Sequence, residues 1–125
     1  MGSNGRLTSH VLDLSIGKPV KGIVLELWRI EQSESGQLPQ LLRTAVTNED
    51  GRLEMPLLQG EEMSAGLYEL VFEAGNYYRE LHSAPCGIEF IFDRIPIQFR
   101  IVDEDGHYHI PLLVAPGGYS TYRGS

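Results

Sequence analysis

The chain is 125 residues long, 42% hydrophobic and 22% charged, with a formal charge of −7; these values suit one domain, residues 1–125, with a core of ordinary size. Ten Lys and Arg stand against 17 Asp and Glu, and their scatter excludes the basic stripe that nucleic acid or an anionic membrane surface needs. A lone cysteine, Cys86, excludes an intrachain disulfide and an all-cysteine metal site.

In chain order, MGSNGRLTSH has no apolar core of a secretory signal. Residues 1–5 are expected to be a flexible or cloning-derived lead, and the expected location is the cytoplasm. No segment approaches the roughly 20 apolar residues of a membrane span. TSHVLDL places His10 just ahead of a strand-like run, and IGKPVKG punctuates it as a turn. KGIVLELWRI is rich in strand formers, and SESGQLPQ closes it. The NEDGR turn presents Arg52, expected to lead into a strand.

In LYELVFEAG, Tyr68, Leu70 and Phe72 alternate with Glu69 and Glu73, a half-buried strand. AGNYYRELHS is the one helical candidate, with Tyr78, Leu81 and Tyr77 available to face a sheet and His82 near the C-terminal dipole. RIPIQFRIVD alternates Ile95, Ile97, Phe99 and Ile101 with Arg94, Gln98 and Arg100. HIPLLVAP reads as a strand covered on both sides, and APGG as a turn. Short strands separated by turns at this spacing predict a mainly β fold, an antiparallel two-sheet sandwich with one short helix.

No phosphate loop, dinucleotide fingerprint, nucleophile elbow or zinc-protease motif is present. His107-Tyr108-His109 is more informative, because residues two apart on a strand share a face. Both imidazoles can converge on one site, or one can work while the other sits at the strand's frayed start. Read singly, His10 is a structural histidine and Arg52 a solvated cation. A zinc site from His10, His107 and His109 is a further possibility.

SHVLDLSIGKPV, TNEDGR and HYHIPLL followed by GYSTYRGS, in that order along the chain, resemble the 5-hydroxyisourate hydrolases of the transthyretin-like family. The resemblance implies two four-stranded sheets with a short helix, and a homotetramer whose active sites lie in a channel between dimers. It implies hydrolysis of a small oxidised purine in urate breakdown, with no cofactor and no metal. Carried onto this sequence, the catalytic set is His10, Arg52 and His109, and the substrate-binding tail is Tyr122, Arg123, Gly124 and Ser125. Two stretches depart from the family pattern: APGG before the tail, expected to loosen the turn beside the groove, and HSAPCGIEFIFDRIP, expected to alter packing. A carrier of small aromatic ligands on the same scaffold is the alternative function, and a plain interaction sandwich a third.

Overall fold

The computed structural model describes residues 4–31, 39–81 and 90–124. His82, Cys86, Ser125, the Leu81 side chain and most of the SESGQLPQ turn lie outside the described residues. Two sheets face each other. The first contains β1 (Arg6–Asp13), β2 (Lys18–Pro19), β5 (Leu58–Gln59), β8 (His107–Ala115) and β9 (Gly118–Thr121). The second contains β3 (Val24–Glu31), β4 (Gln40–Val46), β6 (Gly66–Glu73) and β7 (Arg94–Ile101), and the helix α1 (Ala74–Leu81) follows β6.

The second sheet runs β4-β3-β6-β7, antiparallel throughout. Its inward residues are those of the alternating pattern: Leu25 and Leu27, then Tyr68, Leu70 and Phe72, then Ile95, Ile97 and Ile101 are buried. Each such side chain contributes about 1.5–3 kcal/mol by leaving water. The other layer supplies Leu7, Val11, Tyr108, Ile110, Leu112 and Val114 to the same core. Tyr78 of the helix is buried against it, stacked on Phe90 at 4.3 Å.

The first sheet differs from the antiparallel expectation. Its order is β2-β1-β8-β9, and β1 pairs β8 in parallel over its whole length, from Arg6↔His107 to Asp13↔Val114. It also holds five strands rather than four, because β5 joins β1 on the edge that β2 uses. β5 pairs residues 6 and 7, and β2 pairs residues 12 and 13. Between them no strand pairs residues 8–11 of β1, although Val11 O accepts from Val20 N–H at 3.0 Å.

Expected as a lead-in, His10 lies inside β1. Leu7, Ser9, Val11 and Asp13 point inward, while Arg6, Thr8 and His10 point outward. Two polar residues therefore sit on the buried face, and each is satisfied. Ser9 Oγ donates to Ile110 O at 2.8 Å. Asp13 accepts from the Ser15 amide (2.9 Å), the Ser15 hydroxyl (2.5 Å) and Tyr77 OH (2.8 Å). Burial pushes the Asp13 carboxyl up, but these hydrogen bonds outweigh it and hold the group below its ordinary value. Among the described residues no helix is long and apolar enough to cross a membrane.

Candidate active site

The edge of β1 between β5 and β2 is filled by the NEDGR turn. Asn48 Oδ1 accepts from the amides of Asp50 (2.9 Å) and Arg52 (3.2 Å), and Asn48 N–H donates to Arg52 O at 2.8 Å. Gly51 adopts φ +72°, in the left-handed region. A Cβ there would stand 2.5 Å from Val11 O, so this turn requires glycine. Gly51 O then accepts from Val11 N–H at 2.9 Å, and His10 and Arg52 form an isolated antiparallel bridge. The strand expected after Arg52 is reduced to that bridge; the next strand begins at Leu58.

A cavity of about 540 Å³ opens on this outer face. Its floor is Thr8 and His10 of β1 with His109 of β8, and its walls include Arg6, Arg52, the segment Leu53–Pro56, Tyr122 and Gly124. The imidazole rings of His10 and His109 lie 6.3 Å apart, tilted by 41°. The structure thus brings together His10, Arg52, His109, Tyr122 and Gly124, which are distant in sequence.

His10 Nε2 lies 2.9 Å from Asp50 O. A carbonyl only accepts, so Nε2 carries the proton and the neutral ring keeps its lone pair on Nδ1. His109 Nδ1 lies 2.8 Å from Thr8 Oγ1. Burial lowers the pKa of both histidines, and the positive charge of Arg52 lowers both further. For His10 the Asp50 carbonyl and carboxylate pull the other way, whereas His10 itself pushes His109 lower still. Both rings are accordingly neutral at pH 7.

Two tail residues separate in role by geometry. Gly124 N–H donates to His109 O at 2.7 Å, and its Cα faces the His109 ring. Arg123 turns away from the cavity: its guanidinium lies over the Tyr108 ring at 4.2 Å and donates to His107 O at 2.9 Å. Of the two histidines around Tyr108, only His109 reaches the cavity. His107 is exposed, with Nε2 3.1 Å from Asn4 O. Among the described residues no three His, Cys, Asp or Glu side chains gather as metal ligands, so the set His10, His107 and His109 does not assemble.

The APGG stretch is a closed hairpin, with Ala115 opposite Gly118 and only Pro116 and Gly117 between them. It lies six residues along β8 from His109, roughly 20 Å at strand rise, and four residues before Tyr122 of the cavity wall. Thr8, Arg6 and the Asp50 carbonyl were not read as site groups from the sequence. The two side chains had a signal, since they sit two and four residues before His10, on its own face of a strand.

The HIUase/Transthyretin family profile matches residues 7–124. A 5-hydroxyisourate hydrolase of Halalkalibacterium halodurans is 51% identical over 98% of this chain and 99% of its own length. The 5-hydroxyisourate hydrolase 2 of Rhizobium meliloti is 46% identical over the whole of both chains. Among solved structures, the 5-hydroxyisourate hydrolase of Klebsiella pneumoniae superposes with a TM-score of 0.72 at 35% identity, covering 97% of this chain and 99% of that one. An (S)-allantoin synthase matches with a TM-score of 0.87 at 42% identity; 98% of this chain is covered but it spans 44% of that longer protein. Transthyretin from Sparus aurata, at 23% identity and TM-score 0.79, shares the fold and covers 95% of this chain and 96% of its own.

Proposed function

The chain belongs to the HIUase/transthyretin family, and from that premise we propose that it hydrolyses 5-hydroxyisourate. Water adds to the acyl carbon of the six-membered ring, the acyl C–N bond breaks, the carbon becomes a carboxylate and the nitrogen gains a proton. The product is 2-oxo-4-hydroxy-4-carboxy-5-ureidoimidazoline. The observation that carries this reading is the pair of imidazoles with ring centroids 6.3 Å apart beside Arg52. Such a pair takes a proton from water and returns one to the leaving nitrogen near neutral pH.

His10 is the better seat for the transient proton, because its Nε2–H is already held by Asp50 O and the lone pair on Nδ1 is the free basic position. Arg52 orients the substrate and stabilises the oxyanion that develops on the attacked carbonyl. Tyr122, exposed on the cavity wall, supplies an aromatic wall and a hydroxyl to the ring. Arg123 acts from outside, tying the tail to β8, and Ser125 completes the tail. No step calls for a metal or an organic cofactor.

The reading takes residues 1–125 as one domain, supported by the single core shared by both sheets. It includes a homotetramer with the cavity in a channel between dimers. Leu14, Ile16, Tyr119 and Tyr122 are each more than 40% exposed in the single chain, a set of apolar groups that a partner subunit would cover. Light scattering tests the tetramer, and a strict monomer refutes it. We place the protein in the cytoplasm, which fractionation tests.

The deciding assay is the decay of 5-hydroxyisourate generated from urate in situ, with spontaneous decay subtracted and His10→Ala run in parallel. Loss of this general base is expected to slow turnover by about 10²–10⁴-fold. No acceleration by the folded wild-type protein refutes the hydrolase and favours the carrier.

A further inference from the structure

Among the described residues, Thr8 is the one hydrogen-bond partner of the His109 ring. Its hydroxyl lies 2.8 Å from Nδ1, and the same residue lines the cavity. The contact follows from register. Thr8 and His109 are direct neighbours in the parallel β1–β8 pairing, both on the outward face. With Nδ1 engaged, Nε2 is the ring atom left for the cavity.

The two histidines are not held alike. His10 is bound by a carbonyl, which dictates its tautomer; His109 is bound by a hydroxyl, which accepts or donates. A water lodged between rings whose centroids are 6.3 Å apart gives one hydrogen to His10 Nδ1. For its other hydrogen also to be held, His109 must offer a lone pair at Nε2, and therefore carry its own proton on Nδ1. The water's lone pairs are then free for the acyl carbon. In the opposite tautomer Nε2–H would donate to the water, leaving one of its hydrogens unheld and drawing electron density from the attacking oxygen.

We propose that Thr8 is a positioning residue that accepts a hydrogen bond from His109 Nδ1–H, holding the ring in the tautomer that presents the Nε2 lone pair to the attacking water. The role rests on the hydrolase reading above. Gly124 forms the opposite side of the clamp: a Cβ there would lie 2.6 Å from His109 Cδ2, so the ring has no slack toward the tail. Thr8 touches no reacting atom and acts through His109 alone.

The test uses three full-length proteins: wild type, Thr8→Val and Thr8→Ser. Valine has the shape of threonine and suits a strand, so it removes the hydroxyl with little change in packing. Serine keeps the hydroxyl. Ring-nitrogen NMR of the substrate-free proteins is expected to show wild-type His109 protonated at Nδ1. In Thr8→Val the proton shifts to Nε2 or distributes over both nitrogens. Turnover in Thr8→Val is expected to fall about 10–100-fold, the cost known for metal-bound histidines that lose an orienting partner, with KM changed by less than about threefold. Thr8→Ser recovers most of both signals.

A wild-type ring protonated at Nε2 overturns the proposal. So does a Thr8→Val protein with wild-type kcat, or with an unshifted ring spectrum, or a Thr8→Ser protein as impaired as the valine variant. The NMR arm needs no substrate. If wild type fails to hydrolyse 5-hydroxyisourate, the function assigned above falls, while the ring spectra still decide whether Thr8 sets the tautomer.

Discussion

Gly124→Ala isolates the contact between the tail and the cavity. Gly124 is not among the glycines with positive φ, so alanine takes this backbone without strain. Its Cβ, however, would stand 2.6 Å from Cδ2, 3.3 Å from Cγ and 3.4 Å from Cβ of His109. Carbon atoms prefer about 3.5–4.0 Å, so the closest contact is short by about 1 Å. Thr8 holds the opposite side of the ring, so a ring pushed off Gly124 is driven against the Thr8 hydroxyl and their 2.8 Å hydrogen bond loses its geometry. A displacement of about 1 Å at a working group costs on the order of 10²-fold in rate. Stability should barely move, by less than about 1 kcal/mol, because Gly124 is only half-buried and outside the core. Steady-state decay of 5-hydroxyisourate gives kcat and KM, and thermal denaturation gives the stability. A folded Gly124→Ala protein with wild-type kcat refutes the close packing of tail on ring.

Gly51→Ala should act on the fold itself. The left-handed φ costs about 1–2 kcal/mol, and the clash with Val11 O adds to it, so urea denaturation should show a loss of about 2–4 kcal/mol; an unmoved midpoint counts against the turn geometry. Arg52→Gln removes a positive charge that, after burial, holds the pKa of His10 and His109 down. Both histidine midpoints should therefore rise in an NMR titration, and the acid limb of any residual activity should move to higher pH. Unmoved or lowered midpoints would show that the guanidinium does not face the rings. Asp13→Ala removes the acceptor of the exposed Ser15 amide and hydroxyl and of the half-buried Tyr77 hydroxyl, at an expected cost of about 1–3 kcal/mol at pH 7. Because the folded carboxyl lies below its ordinary value of about 3.9, its contribution is complete above that pH and is lost as pH falls through the folded value. The stability curves of wild type and variant should converge on acidification; parallel curves would deny the linkage.

Strand alternation made β6 and β7 legible before any coordinates, since the chemistry of one buried face and one wet face is written every second residue. Tyr68, Leu70 and Phe72 obey it, as do Ile95, Ile97 and Ile101. β1 escaped the same rule because Ser9 and Asp13 occupy inward positions. Their burial is tolerable through partners that include distant groups, Ile110 O for Ser9 and Tyr77 beside the nearby Ser15 for Asp13. No local pattern announces such partners. The parallel pairing of β1 with β8 was invisible for the same reason, being a choice among non-local pairings.

The site divides along the same line. Within the sequence, the family resemblance carried by SHVLD, NEDGR, HYH and YRGS pointed to His10, Arg52, His109 and the tail. Tertiary structure alone decided which of them meet. The gap between β2 and β5 admits the Arg52 turn to the edge of β1, and the register of β1 on β8 sets Thr8 beside His109. The same packing draws Arg123 onto Tyr108 and away from the cavity. Side-chain identity is a local property of the chain. The position of a proton on His10, dictated by the carbonyl of Asp50, belongs to contacts that only folding brings together.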